Sequence, residues 1–329
     1  MFSSGSHARG AATLILAQLI LSLQDVAVKW IGGHYNVIEI VLIRSLVALP
    51  ATLIFLRREG QLGLPTTRRP LLQIGRGVLL FTSFTTGMMA LAALPLAEIS
   101  AIRNSGPLMI TLLSVFWLGE QVGPRRWLAL GVGFLGVLLI VQPGTAAFNL
   151  GSVFAVLATF TYALSVMVTR RLQSTDSGAT MTYYSSLVYL VASVALAPLA
   201  VLVGERPDAQ ASIAFLFRTW IVPTWLDGAI IAGLGLVWTA GMYLIARAYS
   251  QAPASVVAPF EYAGLLISVM WGLALWGEVP TWLTIVGASL TVGSGLYVLY
   301  RERVIAGAHK RKRARAESAE AHEQRASDA

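Results

Sequence analysis

The 329-residue chain has no cysteine, four histidines and only 16 acidic residues. Without thiols there can be no disulfide, thiolate metal site or cysteine nucleophile. His7, His34, His309 and His322 lie at the termini or in a loop, far apart in sequence, so they offer no pair at metal-binding spacing. Charge is scarce too: 12% of residues are Asp, Glu, Lys or Arg, about half the share in an ordinary soluble domain. Hydrophobic residues make up 56%. A chain of this composition is solvated by lipid and leaves no room for a soluble catalytic domain, so the expectation is a non-enzyme with no cofactor. No phosphate-binding GxxxxGK[ST] motif occurs, so ATP does not drive it directly.

Apolar runs of about 20 residues, each enough to cross roughly 30 Å of hydrocarbon as a helix, recur with short polar gaps. Hydropathy places ten spans near 11–30, 37–56, 72–93, 96–118, 126–142, 150–169, 181–203, 226–249, 254–276 and 281–300. The first contains Asp25 and Lys29 and lacks a small-residue cleavage site, so it reads as a retained helix. Arg57, Arg58, Arg68, Arg69, Arg125, Arg126, Arg170, Arg171 and Arg247 all fall on one side of the membrane. The alternate connections GGHYN, ALPLA and QPGTAAFN carry no lysine or arginine, and the longer 204–225 loop holds Arg206 and Arg218 against Glu205 and Asp208. Basic residues collect in cytoplasmic loops, so both termini are expected in the cytoplasm of a bacterium, with the chain in its inner membrane. Residues 1–10 are then a short cytoplasmic lead. The tail 301–329 splits into a basic and an acidic block without apolar periodicity, which predicts disorder. Its KRKRAR run directly follows the last span, which favours the lipid surface over nuclear import or nucleic acid.

Residues 95–120, PLAEISAIRNSGPLMITLLSVFWLGE, align without a gap over 253–278, PASVVAPFEYAGLLISVMWGLALWGE. The match keeps the opening proline, the central Gly106/Gly264 and the closing Gly-Glu pairs 119–120 and 277–278. More weakly, GAATLILAQ resembles GSVFAVLAT, which sets Lys29 opposite Arg170. Two units follow, 11–142 and 150–300. With five helices each, an odd number, the second unit must lie upside down, which is the inverted-repeat plan of secondary transporters with substrate sites near the midplane.

The alignment sets Arg103 opposite Glu261, each about 12 Å from a membrane face. Charges at that depth must pair or face water, so they are candidate functional groups. Ser100, Arg103, Asn104 and Pro107 share one helix face, as do Ala258, Glu261, Tyr262 and Leu265. Pro107 and Pro259 leave carbonyls without their usual donors and can kink both spans. Two roles stay open for an Arg103–Glu261 pair: a fixed structural bridge, or one that opens to admit substrate. A second charged group comprises Asp25 and Lys29, on one face with Gln18 and Ser22, together with Arg44. The favoured reading is structural, an Asp25/Lys29 pair neutralising itself with Arg44 in the bundle. Arg76 sits near a span end and can snorkel. Phe84 and Thr85 on span three, with Trp238 and Tyr243 on span eight, can wall a flat organic ligand, although packing is the commoner role of such residues. Gly131, Gly133, Gly136, Gly287, Gly293 and Gly295 read as points of close helix contact.

The stretches SLQDVAVKWIGGHYNVIEIVLIRSLVALP and IGRGVLLF, the paired WLGE and LWGE, and VAPFEY resemble the drug/metabolite transporter superfamily, specifically its EamA-like members, over essentially residues 11–300. The D-V-x-x-K, E-x-x-x-x-R and A-P-[FY]-x-Y elements are similar to a bacterial subgroup that includes S-adenosylmethionine uptake transporters. The resemblance leaves riboflavin importers and metallophore exporters open. It implies ten helices in two inverted repeats, cytoplasmic termini, and a cavity lined mainly by spans one, three, four, six, eight and nine. One departure stands out: Glu261 precedes the motif tyrosine, Tyr262, where the S-adenosylmethionine-like pattern has a basic residue.

The expectation is therefore an all-α integral membrane protein of ten helices. It moves a small polar organic metabolite by alternating access, with protons as candidate coupling ion and substrate, direction and oligomeric state open. The alternatives are a membrane enzyme acting on lipid-linked substrates and a lipid flippase on the same fold.

Overall fold

In the computed structural model, the described residues are 4–58, 63–118, 123–172, 174–205, 209–251, 257–298 and 300–301, and they contain helices and connections but no strand. Lipid leaves backbone N–H and C=O groups no partner but each other, and helices satisfy them within a single segment. Spans one to three are α1 (Ser4–Ile31), α2 (Val37–Arg58) and α3 (Pro70–Leu91). Span four is broken into α4 (Leu96–Arg103) and α5 (Gly106–Leu118). Spans five to seven are α6 (Pro124–Val141), α7 (Leu150–Leu172) and α8 (Gly178–Val203). A short α9 (Ala211–Leu216) precedes span eight, α10 (Trp225–Gln251). Span nine is a 3₁₀ turn (Ala258–Tyr262), α11 (Ala263–Trp271) and a π turn (Gly272–Trp276). Span ten is α12 (Trp282–Val298). Among the described residues nine helical stretches are long and apolar enough to cross a membrane, and α12 is a shorter apolar helix.

Local chemistry sets the ends. Pro70 and Pro124 open α3 and α6, where a missing N–H costs nothing. The Ser177 hydroxyl accepts from the Thr180 N–H at 3.2 Å and caps α8. Gly277, at φ 67°, ends span nine in the left-handed region.

The packing shows two copies of one five-span unit. Exchanging spans one to five with six to ten turns the α1–α10 contact into α7–α3, the α3–α8 contact into α10–α2, and the α1–α11 contact into α7–α5; all six are present. Spans five and ten meet glycine to glycine: a Cβ on Gly136 would lie 2.5 Å from the Gly287 carbonyl oxygen, and one on Gly287 would lie 2.5 Å from that of Gly136. Gly133 is crowded by Leu108 and Ser294, and Gly295 by the Tyr262 hydroxyl. Those four glycines mark close contact as expected, whereas Gly131 and Gly293 face open space.

Helix α9, too short for any periodic signal, pins the 204–225 connection over the end of α1. Its Phe215 is buried against Gly32, and the Arg218 guanidinium donates to the Gly32 carbonyl. Asn36 Nδ2 donates to the carbonyls of Leu216 at 2.6 Å and Arg218 at 2.9 Å. In the same connection the Thr219 N–H reaches Glu205 Oε1 at 3.1 Å, and this hydrogen bonding holds the Glu205 carboxyl below its usual range.

Candidate functional site

Span four breaks where Pro107 predicts. Asn104 N–H still reaches Ser100 O at 3.0 Å, but Ser105 N–H turns to Ile102 O at 3.0 Å and the helix restarts at Gly106. The pseudo-equivalent position in span nine, around Pro259 and Glu261, is the 3₁₀ turn. Both irregular segments place ionisable residues within the membrane, where distorted backbone survives only against protein or water.

At the first break, Arg103 holds Asp25. Nη1 lies 2.8 Å from Oδ2 and Nη2 3.3 Å from Oδ1, a two-pronged ion pair. The Arg103 side chain is 52% exposed and that of Asp25 13%. A guanidinium this accessible about 10 Å below the start of span four must meet water or a ligand, since a charge facing lipid at that depth is costly. The expected partner was Glu261, and the structure corrects that: the carboxylate held by Arg103 belongs to α1. Asp25 lies about 9 Å from the end of α1, so the two side chains share one depth. Glu261 is half-buried in its turn. Tyr262 is buried and its hydroxyl has no hydrogen-bond partner, as is true of Asn104 Nδ2.

The polar face of α1 is spent residue by residue across the repeat boundary. A Cβ on Gly264 would lie 3.0 Å from Gln18 Oε1, so the glycine gives that amide its room. Trp271 Nε1 donates to Ser22 Oγ at 2.9 Å. Lys29 donates to the Leu94 carbonyl at 3.0 Å, pairs with Glu278, and lies 5.1 Å from the Trp276 ring centre. Glu278 Oε2 in turn accepts the Leu96 N–H at 3.0 Å. The expected self-neutralising group of Asp25, Lys29 and Arg44 is thus corrected as well: Asp25 turns to Arg103 within its own repeat and Lys29 to Glu278 in the other, because neighbouring helices bring opposite charges closer than their own helix does.

Arg44 stands apart from both pairs. Its guanidinium lies 3.9 Å from the Phe84 ring centre and 5.9 Å from those of Tyr189 and Trp238, is buried, and leaves Nη1 without a hydrogen-bond partner. Three aromatic faces stand in for a carboxylate. Phe84 and Trp238 therefore share a cluster, and neighbouring Thr85 is buried with its hydroxyl unpartnered. Tyr243 lies on α10, but its side chain is outside the described residues. Arg76 does not snorkel. Nε donates to Thr169 Oγ1 at 2.7 Å, and Nη1 to Met181 O at 3.0 Å and Ser185 Oγ at 2.6 Å, so it ties α3 to α7 and α8.

The site residues thus form two groups, Asp25 with Arg103 and its neighbour Asn104, and Arg44 with Phe84 and Trp238. Sequence reasoning missed Ser22–Trp271, Tyr189 and the role of Glu278. The last had a signal, a carboxylate closing LWGE opposite a membrane-buried lysine, whereas Tyr189 had none.

The EamA-like transporter family matches residues 8–142 and 149–300. An S-adenosylmethionine uptake transporter of Rickettsia bellii is 27% identical over 91% of this chain and 96% of its own length. A riboflavin transporter of Rhizobium johnstonii is 28% identical over 89% and 91% of the two chains. A crystal structure at 17% identity superposes with a TM-score of 0.57, covering 92% of this chain and 99% of that one, and shares the fold.

Proposed function

We propose, for a chain that belongs to the EamA-like transporter family, that cargo is carried by alternating access and gripped through an α-amino-acid-type group by the Asp25–Arg103 couple. The protein is a multi-pass small-metabolite transporter, as are the relatives named above. The observation that supports the grip is the couple itself: a carboxylate and a half-exposed guanidinium held together, about 10 Å in from the ends of their helices. A zwitterion inserts between such partners with its ammonium on Asp25 and its carboxylate on the Arg103 fork, replacing one ion pair by two. Of the cargoes in the relatives' names, S-adenosylmethionine carries that group and riboflavin does not. In the same reading Asn104, Glu261 and Tyr262 line the cavity, and Phe84 and Trp238, gathered around Arg44 and beside Thr85, form its aromatic wall.

We set the repeat units at 11–142 and 150–300. The face carrying residues 32–36 points out of the cell, and both termini lie in the cytoplasm of a bacterial inner-membrane protein, in keeping with the one-sided arginines. The test is uptake of labelled S-adenosylmethionine and of riboflavin into proteoliposomes, with methionine and decarboxylated S-adenosylmethionine as competitors. Inhibition by the intact zwitterion and little by the decarboxylated analogue is the expected result. Accumulation of riboflavin alone overturns the assignment.

A further inference from the structure

We propose, resting on alternating access in this orientation, that two pseudo-equivalent cation–aromatic clasps latch the two faces, and that the structure is the state latched toward the outside.

Lys29 of span one lies 5.1 Å from the Trp276 ring centre of span nine, and Arg171 of span six lies 5.3 Å from that of Trp117 in span four. Repeat exchange turns span one into six and span nine into four, so one clasp maps onto the other across the membrane. The register agrees to a single residue on each side: Lys29 aligns with Arg170, next to Arg171, and Trp276 aligns with Leu118, next to Trp117. Each clasp joins a helix of one repeat to a helix of the other, so neither can hold through a movement that parts the repeats on its side.

The two are unequally closed. At the outer clasp the Lys29 and Glu278 side chains are 12% and 19% exposed. Lys29 is braced by the Leu94 carbonyl and Glu278, and Glu278 by the Leu96 N–H, so the clasp ties spans one and nine to the start of span four. Gly272 makes room for it, since a Cβ there would lie 3.1 Å from Glu278 Oε2. At the inner clasp Arg171 is exposed and Trp117 is 41% exposed. Cation–π attraction strengthens as water is excluded, so the outer clasp is the tighter. Alternating access needs this inequality, because two tight latches would trap the cargo and two loose ones would leak.

The natural lack of cysteine makes the test clean. A single Ser100→Cys, one helical turn from Arg103 toward the outer face, is exposed in right-side-out proteoliposomes to a membrane-impermeant maleimide. Labelling is slow with both clasps intact. Glu278→Gln, or Lys29→Met, raises the rate about tenfold by shifting the population toward the outward-open state. Trp117→Leu lowers it below the parent. Lys29→Arg, which keeps a cation beside Trp276 and a donor for the Leu94 carbonyl, keeps labelling slow, and thermal melting of each variant shows that the fold tolerates the changes. Rates that ignore both clasps, or that move in the same direction for both, overturn the proposal. Labelling needs no substrate, so the two readings fail separately. Opposite shifts without any metabolite uptake refute the transport assignment and leave the clasps standing, and intact uptake with unshifted labelling does the reverse.

Discussion

Replacing Asp25 by asparagine removes one charge and almost no volume from the centre of the proposed site. The lost groups are two contacts, at 2.8 and 3.3 Å, to a guanidinium that keeps 52% of its exposure. Because Arg103 stays in touch with water, it is not stranded as a buried unpaired charge, a situation that costs about 3 to 5 kcal/mol. Solvent screening puts the loss of fold stability nearer about 1 kcal/mol. The effect on cargo is larger if Asp25 holds its ammonium. One charge-assisted hydrogen bond contributes about 1.5 to 3 kcal/mol, so affinity should fall about ten- to a hundredfold. Arg103→Lys, which keeps the charge but loses the fork, should weaken binding less than Arg103→Ala. The assay is equilibrium binding of labelled S-adenosylmethionine to purified protein, beside thermal melting of each variant. Unchanged affinity in a stably folded Asp25→Asn protein would refute the grip. So would full transport in an Asp25→Arg, Arg103→Asp exchange, because a reversed couple rebuilds a structural bridge yet presents the wrong polarity to an oriented zwitterion.

Three further outcomes are expected. Gly136→Val drives side-chain carbon into the Gly287 carbonyl and the Thr291 hydroxyl, at 2.5 and 2.6 Å from an ideal Cβ; overpacking of about 1 to 3 kcal/mol or more should lower the melting temperature, whereas Gly131→Val, in open space, should leave it nearly unchanged. Cysteines at Gly33 and Gln210 should label from outside the cell and one at Ala308 should not; Gly33 serves better than its crowded neighbour Gly32, and the reverse pattern refutes the orientation. Glu261→Gln should abolish accumulation driven by a pH gradient while substrate exchange persists, and a stable variant that still responds to the gradient rules out a coupling role for Glu261.

The ten spans were legible because lipid imposes a length and a composition on each of them, and the repeat was legible because Gly-Glu closes both WLGE and LWGE. The break in span four followed from Pro107. The partners of the charges were not legible, for a reason specific to membranes. Hydropathy gives depth along a helix but not the direction a side chain takes around it, so Arg103 was matched to Glu261 through the repeat while Asp25, at equal depth on α1, took the guanidinium. Arg44 shows the same limit in another form: nothing in a sequence says that Phe84, Tyr189 and Trp238, from three different spans, converge on one cation.

The distribution of charge follows from what transport demands. A purely structural bundle would do better with apolar contacts at these depths, since desolvating an ion pair often costs as much as the pair returns. Here Lys29 and Glu278 at one face, and Arg171 at the other, sit where the two repeats meet, while Asp25 and Arg103 pair within the first repeat at the break in span four, where cargo is proposed to enter. Contacts within a single repeat move as one body and gain from being breakable only where cargo takes their place, as proposed for Asp25 and Arg103. Contacts between the repeats must form and part in every cycle, and a polar pair that water or cargo can replace parts at lower cost than a packed apolar seam. The interface between spans five and ten, at Gly136 and Gly287, is the counterexample that fits: it is uncharged and closely packed, as expected of a contact that does not open.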